Sequence, residues 1–539
     1  MIDLSKVHEF LGKNHLFYGL SQNGLDDLLR SVEVFELQAD ELLFREGDPN
    51  HAMFFILSGS IHLFSTIKGV KKQNNNLHEG NFFAEEGFFA RRAHSYSAVT
   101  NEPSTLISFD RKVFFRLAHH YPVLKENFIR LRSSDRLAGD LDTRWLLENE
   151  RIYGCERKSV ALLILKSVVP TLLLIGSLIL TSAYFVVPSN WFIPAGVTAG
   201  LIAILWMLWN LVDWNNDHYI VTNTRVIWIE KIFLLYDSRI EANMENILAV
   251  STETSFIDRI FGLGTIHIKT YTGEIKLRFV DSPKQFTAIV EDHLSNSKVV
   301  KKKSNKIQMR NTLNRKLGYE KEPPKVEKTL ENWNSASPND WFNDLFKTRS
   351  EHGNTITYHK HLFGLFRDSF RYLLGVISII GFLLYWELVS GRMMPIFGFI
   401  SLLILLLFLF LVLVYQYLDW RNDIYQITAD QILDIDRKPL GDDDRKAASI
   451  ENILSTEYKR DGLLGLLFNF GTVYIMIGNN EFNFEDVADP ATVQQDIIQR
   501  QIGLRRRKEE QKTEMDNERM AEWISFYHQS SKSRSEPID

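Results

Sequence analysis

Cysteine is nearly absent from this chain of 539 residues, in which Cys155 is the only example. No internal disulfide can form, which suits a reducing compartment for any part of the chain that lies outside a membrane. The first residues, MIDLSKVHEF, lack a cationic stretch followed by an apolar run, so we expect no cleaved signal peptide. The net charge of −5 is small for this length and does not point to nucleic acid.

The motifs of common catalytic sites are missing as well. The sequence has no G-x-x-x-x-G-K-[ST] phosphate loop, no H-E-x-x-H zinc motif, no G-x-S-x-G nucleophile elbow and no cysteine cluster. With scattered histidines and one cysteine, neither a thiolate metal site nor a cysteine nucleophile is indicated. The chain is therefore predicted to be no enzyme, with no catalytic residue, metal or obligatory cofactor.

Long apolar runs are what the sequence has in excess. Each could cross roughly 30 Å of hydrocarbon as a helix, and Glu387, close to the end of a run, is the only charge they contain. The four runs cover residues 167–187, 191–212, 372–390 and 395–418. Buried helices of a soluble protein are the alternative, but four such runs without internal charge favour membrane spans.

The spans pair into two hairpins, because the loops 188–190 and 391–394 are very short. Basic residues precede the first and third spans, so the positive-inside rule places both termini and the middle segment in the cytoplasm. The expected location is the bacterial inner membrane, crossed several times. Paired intramembrane charges and a pore loop are missing, which argues against a channel.

The stretch after the second run, DWNNDHYIVT, returns after the fourth as DWRNDIYQIT, and MENIL returns as IENIL. Such similarity indicates a duplicated unit, a hairpin followed by a β-rich domain of about 85 residues with a closing helix. The unit resembles bacterial pleckstrin-homology-like domains that follow membrane hairpins. The family's D-x-Y-x-[IV]-T-x-x-R-[IV]-I pattern falls on Asp217, Tyr219, Val221, Thr222, Arg225, Val226 and Ile227.

The second copy keeps Asp423, Tyr425, Ile427 and Thr428 but has Gln431 in place of Arg225. The resemblance implies binding or assembly rather than chemistry. For Asp217 and Asp423 the alternative is a structural role, in which the shared polar residues tie the sheet to the membrane surface.

Upstream of the spans, short alternating segments with glycines at their corners predict a β-roll or jelly roll flanked by helices. Residues 8–135 resemble the cyclic-nucleotide-binding domain family. FREGD and FILSGSI match its glycine-cornered front half, GNFFAE matches its GDFFGE, and RRAHSYSAV follows its R-S-A-T-V course.

A cyclic phosphate in a nearly buried cavity requires a guanidinium and backbone N–H donors, and a ribose 2′-hydroxyl requires a carboxylate. The resemblance implies that Glu85 takes the ribose and Arg92 the phosphate. It further implies that Ala93 and Ser95 supply N–H or hydroxyl donors, with the base against the trailing helix 123–132. The ligand would be cAMP or cGMP.

Three departures bear on that site. Ala84 stands where the family has glycine, Glu86 and Gly87 replace small apolar residues, and the span from Glu85 to Arg92 is short. The alternative is a roll that kept its fold and lost its ligand, with Glu85 and Arg92 paired to each other. His94, alone in the same turn, is expected at the surface.

The predicted fold class is multidomain: a β-roll with flanking helices, four transmembrane helices in two hairpins, and two pleckstrin-homology-like domains, each with a C-terminal helix. The predicted parts are 1–135 β-roll, 136–160 connector, 161–212 hairpin, 213–297 β domain, 298–360 basic mobile linker, 361–418 hairpin, 419–500 β domain and 501–539 charged tail. The linker is basic enough to meet anionic lipid, or it is simply solvated. The tail is a partly helical partner segment or disordered.

Two functions remain. One is a membrane-anchored sensor, in which a cyclic nucleotide orders the trailing helix and the strain passes through 133–158 into the first span. The other is a ligand-independent scaffold, in which the roll and both β domains are protein-interaction surfaces, self-association included. Both functions have the lipid bilayer as a partner, and for both we expect protein partners. No helix-turn-helix follows the roll, so DNA binding is not expected.

Overall fold

We describe the fold from a computed structural model of the chain. It describes residues 4–67, 70–90, 92–147, 150–185, 190–232, 235–270, 273–295, 309–310, 348–390, 395–439, 441, 443–478 and 480–534. The chain divides into two compact units. The first comprises Met1–Phe233, Glu241–Glu320 and Thr513–Asp539, and the second comprises Leu234–Ile240 and Lys321–Lys512.

The N-terminal domain is a roll of two four-stranded sheets between helices, as predicted. One sheet has the strand order β1-β8-β3-β6 and the other β2-β7-β4-β5, with antiparallel neighbours. The elements are α1 Leu4–Lys13, α2 Gln22–Ser31, β1 Glu33–Leu37, β2 Leu42–Phe44, β3 Ala52–Ser58, β4 Ser60–Ile67, β5 Val70–His78, β6 Phe82–Phe83, α3 Glu85–Ala90, β7 Ser97–Thr100, β8 Ser104–Asp110, α4 Arg111–His120 and α5 Pro122–Asp140.

Alternating apolar residues explain the two cores of this domain, because successive side chains of a strand face opposite sides of the sheet. On β3, Phe55 faces a cluster formed with the helices, and Ile56 faces the interior of the roll. The corner between β3 and β4 is Gly59, whose φ is +96°. A Cβ there would collide with Ser104, so the corner requires glycine.

The predicted connector 136–160 contains a helix end and a strand. Helix α5 continues to Asp140, and β9 Ile152–Arg157 pairs antiparallel with β10 of the following domain. Leu137 and Trp145 pack on a buried cluster that includes Cys155 and Ile227. The boundary therefore differs from the predicted one, because packing against the first β domain orders this stretch.

One buried cation, Arg225, holds the connector to the first β domain. Its guanidinium donates to both oxygens of Glu150, at 2.9 and 2.7 Å, and to the carbonyl of Trp145 at 3.1 Å. It also pairs with Glu241. The side chains of Arg225 and Glu150 are 1% and 0% exposed. Burial alone would raise the pKa of Glu150, but the charge and hydrogen bonds of Arg225 hold that pKa below its usual value.

The first β domain follows two long apolar helices. Its strands β9, β10 and β11 are antiparallel, and β13-β14-β15 form a separate sheet. The elements are α6 Val160–Ala183, α7 Phe192–Asn216, β10 His218–Thr222, β11 Arg225–Ile232, β12 Tyr236–Asn243, β13 Ile247–Glu253, α8 Phe256–Phe261, β14 Leu263–Thr270, β15 Glu274–Asp281 and α9 283–295.

The second β domain begins earlier than predicted. Strands β16 and β17 lie within the predicted linker 298–360, and β17 pairs with β18 as β9 pairs with β10. The elements are β16 Arg349–His352, β17 Thr355–His359, α10 Leu362–Tyr385, α11 Ile396–Asn422, β18 Ile424–Ile427, β19 Gln431–Arg437, β20 Asp443–Ser449, β21 Ile453–Asp461, α12 Gly462–Leu467, β22 Phe470–Ile477, β23 Asn480–Ala488 and α13 Pro490–Arg534. Most of the remaining linker lies outside the described residues.

Two further features of the structure could not be predicted from the sequence. Leu234–Ile240, which belongs in sequence to the first repeat, is part of the second compact unit. There Asp237 pairs with Arg460 at 3.0 Å and Arg239 donates to Gln494 at 3.0 Å. Helix α13 continues to Arg534, so most of the predicted charged tail is helical.

Four helices of the described residues are long and apolar enough to cross a membrane: α6, α7, α10 with its continuation to Leu388, and α11. Polar contacts join α6 to α7 near one end, where Lys166 pairs with Asp213 at 3.0 Å and Asn210 donates to the Lys166 carbonyl at 3.1 Å. The loops predicted between the helices of each pair lie almost wholly outside the described residues.

The aspartates of the repeated motif have the same partner in both copies. Lys158 pairs with Asp217 at 2.6 Å, and Lys360 pairs with Asp423 at 2.6 Å. Each lysine lies one residue before the N-cap of an apolar helix, α6 or α10. The two aspartates therefore tie the sheet to the start of that helix.

We predict that Arg225→Gln destabilises the first β domain by about 3–5 kcal/mol, because it leaves two buried carboxylates without a cation. Hydrogen–deuterium exchange of the full chain in detergent should show faster exchange in β9, β10 and β11. The matched control is Gln431→Ala at the equivalent, exposed position of the second copy, which should change stability by less than about 0.5 kcal/mol. Equal exchange in wild type and Arg225→Gln would refute this role.

Candidate functional site

The candidate site begins where β6 ends in a left-handed residue. Ala84 has a φ of +68°, a conformation that costs a residue with a Cβ roughly 1–2 kcal/mol. Its N–H donates to the Tyr96 hydroxyl at 2.8 Å, and its carbonyl accepts from Asn50 at 2.7 Å. These bonds hold the strained turn that starts α3 at Glu85. The positive φ of residue 84 explains why glycine is the family's residue at this position.

Glu85, the predicted ribose ligand, is 3% exposed and already has a cationic partner. One of its carboxylate oxygens pairs with the guanidinium of Arg151. Its other oxygen is buried and has no hydrogen-bond partner among the described residues. Arg151 also donates to the Phe82 carbonyl at 3.4 Å and lies over the Tyr153 ring at 5.6 Å. The alternative pairing of Glu85 with Arg92 is therefore replaced by a pairing with Arg151.

Arg151 contacts both the roll and the first β domain. Its backbone N–H donates to the Asn223 side chain at 3.0 Å, and its carbonyl accepts from the Asn223 N–H at 3.3 Å, so its backbone is fixed to the first β domain. Its side chain reaches α3 of the roll. Sequence reasoning missed this residue, since nothing local distinguishes it from the other arginines.

The other three predicted site residues lie at the surface. Arg92, Ala93 and Ser95 are exposed, and Ala93 forms a β-bridge with Pro49. The Ser95 hydroxyl donates to Glu86 at 2.5 Å. Of the four residues assigned by resemblance, Glu85 is thus buried at the start of α3, and the other three follow α3 and face solvent. Their binding roles stay a prediction.

His94, expected at the surface, is instead 8% exposed. Its ring stacks on Phe44 with centroids 3.6 Å apart and an angle of 10°. Burial lowers the pKa of His94, and Asp48 and Glu86 oppose that shift. The expectation was wrong because Phe44, 50 residues before His94 in the chain, supplies an apolar face that local sequence cannot reveal.

Two carboxylates share the one cation Arg151. Asp135, on α5, is near Glu85 and Arg151, and burial, followed by the charge of Glu85, raises the pKa of Asp135 to about 7. Asp135 is therefore protonated more readily than an exposed aspartate. The cluster joins α3, α5 and the connector through charges that depend on one another.

The roll also contacts helix α9 of the first β domain. His15 Nδ1 lies 2.7 Å from the Asp292 carboxylate, and Gln285 donates to Asn127 at 2.7 Å. His293 packs on Tyr153 with centroids 4.0 Å apart. Burial is the main cause that lowers the pKa of His293 to about 3, with the charge of His15 adding to it. Among the described residues, no group of three or more His, Cys, Asp or Glu side chains could hold a metal ion.

Comparison with known families confirms both resemblances. Residues 34–121 match the family model described as "Cyclic nucleotide-binding domain", and residues 160–298 match the one described as "Bacterial PH domain". Both are binding or regulatory domain types rather than catalytic ones.

Two relatives each match about a quarter of this chain. The Cyclic AMP receptor protein of Thermus thermophilus is 26% identical over 128 residues, 24% of this chain and 59% of that protein. The cGMP-dependent protein kinase egl-4 of Caenorhabditis briggsae is 21% identical over 127 residues, 23% of this chain and 17% of that protein. The chain thus spans less than two thirds of either relative.

Among solved structures, the sensor domain of the transcriptional regulator DNR from Pseudomonas aeruginosa is 27% identical with a TM-score of 0.24. The match covers 26% of this chain and 98% of that one.

We predict that Ala84→Gly is neutral or stabilises the roll by up to about 1 kcal/mol, because glycine adopts the left-handed conformation without a Cβ penalty. The control is Ala98→Gly on β7, a fully buried strand position, which should cost about 1 kcal/mol. Thermal unfolding of the full chain measures both. A destabilisation by Ala84→Gly as large as that by Ala98→Gly would contradict the strain at residue 84.

We also predict that the contact between the roll and α9 weakens in acid. The folded pKa of His293, about 3, lies below the unfolded value of about 6.5, so the unfolded chain binds more protons between them. Stability should fall as pH decreases from 6.5, by up to about 1.4 kcal/mol per pH unit.

His293→Phe keeps a ring against Tyr153 and should flatten the pH dependence of the melting temperature between about pH 6.5 and 4.5. The exposed His119 provides the control His119→Phe, which should leave that slope unchanged. An unaltered slope in His293→Phe would show that other groups cause the acid sensitivity.

Proposed function

We propose that this chain is an integral membrane regulatory protein whose N-terminal domain binds cAMP or cGMP. Occupancy is passed to the first apolar helix and to the bacterial PH domain. The observation that carries the proposal is the ion pair of Glu85 with Arg151. It joins the carboxylate that the family resemblance assigns to the ribose with the residue directly before β9, which leads to α6.

The ion pair makes ligand binding and domain coupling mutually dependent. Because Glu85 is 3% exposed while it is paired with Arg151, a ribose 2′-hydroxyl reaches either carboxylate oxygen only when this contact opens. A bound nucleotide therefore favours the state in which Arg151 has left the roll. The ligand shifts the equilibrium between the two states only by its differential affinity for them.

Asp135 makes the departure of Arg151 less costly. Two charged carboxylates left together without a cation would repel each other and be poorly solvated. Because burial raises the pKa of Asp135, this residue takes up a proton more readily than an exposed aspartate does. A protonated Asp135 leaves one negative charge fewer beside the ribose hydroxyl.

The membrane arrangement is part of the proposal. The four apolar helices form two hairpins of a multi-pass protein in the bacterial inner membrane, with both termini in the cytoplasm. The length and composition of these helices support this arrangement, as do the lysines at the starts of α6 and α10. The second β domain is a second bacterial PH-like domain, supported by the repeated motif and the repeated Lys–Asp pair.

A second candidate function is a ligand-independent scaffold, in which the roll is a protein-interaction surface and the chain self-associates or recruits partners. The favouring observation is that Glu85 is already neutralised while Arg92 and Ala93 are exposed. In this case the Glu85–Arg151 pair is a permanent link between the roll and the first β domain.

Titration calorimetry of the full chain in detergent with cAMP and cGMP tests the sensor. We expect saturable binding of at least one nucleotide, lost in Arg92→Ala. Arg151→Gln should bind roughly tenfold more tightly, because the competitor for Glu85 is removed and the binding-competent state is more populated. The matched control is Arg116→Ala on α4, also exposed, which should bind like wild type.

The two candidates differ in the outcome for Arg151→Gln. If neither nucleotide gives heat above dilution in wild type or in Arg151→Gln, the sensor is refuted and the scaffold is favoured. If wild type and Arg151→Gln bind a nucleotide equally well, the nucleotide binds but Arg151 does not compete with it, and the proposed relay is wrong.

A further inference from the structure

Helix α12 exposes large apolar side chains although it belongs to a folded β domain. Leu463, Leu464, Leu467 and Phe468 are between 47% and 68% exposed. Gly465, on the other side of the helix, is buried, and a Cβ there would lie 3.1 Å from the Phe470 carbonyl. The helix therefore packs closely on β22 through its glycine and turns its leucines outward.

This apolar patch lies beside the start of α10. Phe468 stacks on Phe363, in the first turn of α10, with centroids 6.0 Å apart and an angle of 17°. The strand pairing also places α12 beside the start of α10. Gly471, on the strand that follows α12, pairs with Val487, and Val487 forms a bridge with Lys360. Lys360 directly precedes the cap of α10.

The first repeat has an apolar helix in the same place. In α8, Ile260 and Phe261 are 66% and 55% exposed. After this helix, Gly264 pairs with Val280, and Val280 forms a bridge with Lys158. Lys158 directly precedes the cap of α6. Both repeats thus place a short helix with outward apolar residues next to the start of an apolar helix.

The sequences of the two helices, FIDRIF and GLLGLL, share little beyond apolar character. What the copies share is position and exposure, which indicates a common apolar surrounding rather than a common specific partner. A bilayer provides such a surrounding at this position, because the strand after each short helix is joined through one neighbouring strand to the start of an apolar helix.

We propose that α8 and α12 lie in the bilayer interface and insert these apolar side chains into the leaflet at which α6 and α10 begin. This inference rests on the proposed membrane insertion of the apolar helices and is independent of nucleotide binding. Each β domain is then attached to the membrane at two points, the Lys–Asp pair at the helix start and the short helix beside it. The attachment fixes the tilt of the sheet on the membrane.

The test uses the full chain in lipid nanodiscs with a single environment-sensitive fluorophore on an introduced cysteine. The buried native thiol is first removed by Cys155→Ala. Leu467→Cys and Ile260→Cys report on the two short helices. Asp430→Cys is the control in water, because it is exposed at the end of β18 away from Asp423. Leu374→Cys, within α10 and 45% exposed, is the control in lipid.

We expect blue-shifted emission from Leu467→Cys and Ile260→Cys, and at least about twofold stronger quenching by lipids with a nitroxide near the head group than for Asp430→Cys. If Leu374→Cys is quenched but the short-helix labels behave like Asp430→Cys, this inference is wrong and membrane insertion stands. If Leu374→Cys is not quenched, membrane insertion itself fails. Blue-shifted labels that lipid nitroxides do not quench identify a protein surface as the occupant and overturn the proposal.

Discussion

A guanidinium with 1% of its side chain exposed, that of Arg225, connects three segments of the chain that are distant in sequence. It neutralises Glu150 and Glu241 and binds the carbonyl of Trp145. Loss of Arg225 leaves both carboxylates as unpaired buried charges, so this contact is costly to break. It holds the end of the connector against the first β domain, and the course of the chain into α6 depends on it.

Arg151 follows this anchored segment and is the point at which the roll and the β domain meet electrostatically. Its backbone is held by Asn223 and its side chain by Glu85, so a change in one of these contacts affects the other. The connection is short, because β9 starts one residue later and the cap of α6 follows β9 closely. A ligand that competes for Glu85 therefore acts on the chain within a few residues of a proposed membrane span.

The two repeats show which features the surroundings impose. The Lys–Asp pair and the exposed apolar helix occur in both copies, at the same place relative to the start of an apolar helix. Arg225 occurs only in the copy that follows an N-terminal domain, and Gln431 takes its place, exposed, in the other. The shared features thus belong to the proposed membrane boundary, whereas the differing residue belongs to the contact with the connector.

The amino-acid sequence by itself determined the roll, the four apolar helices, the duplication and the identity of Glu85 as a candidate ligand. These follow from periodicity, run length and short motifs, which act over neighbouring residues. Only the tertiary structure decided that Arg151 is the partner of Glu85, that His94 is buried under Phe44, and that residues 152–157 and 355–359 are strands of the β domains. Such contacts join residues far apart in sequence, and their energy comes from burial and charge pairing, which no local pattern encodes.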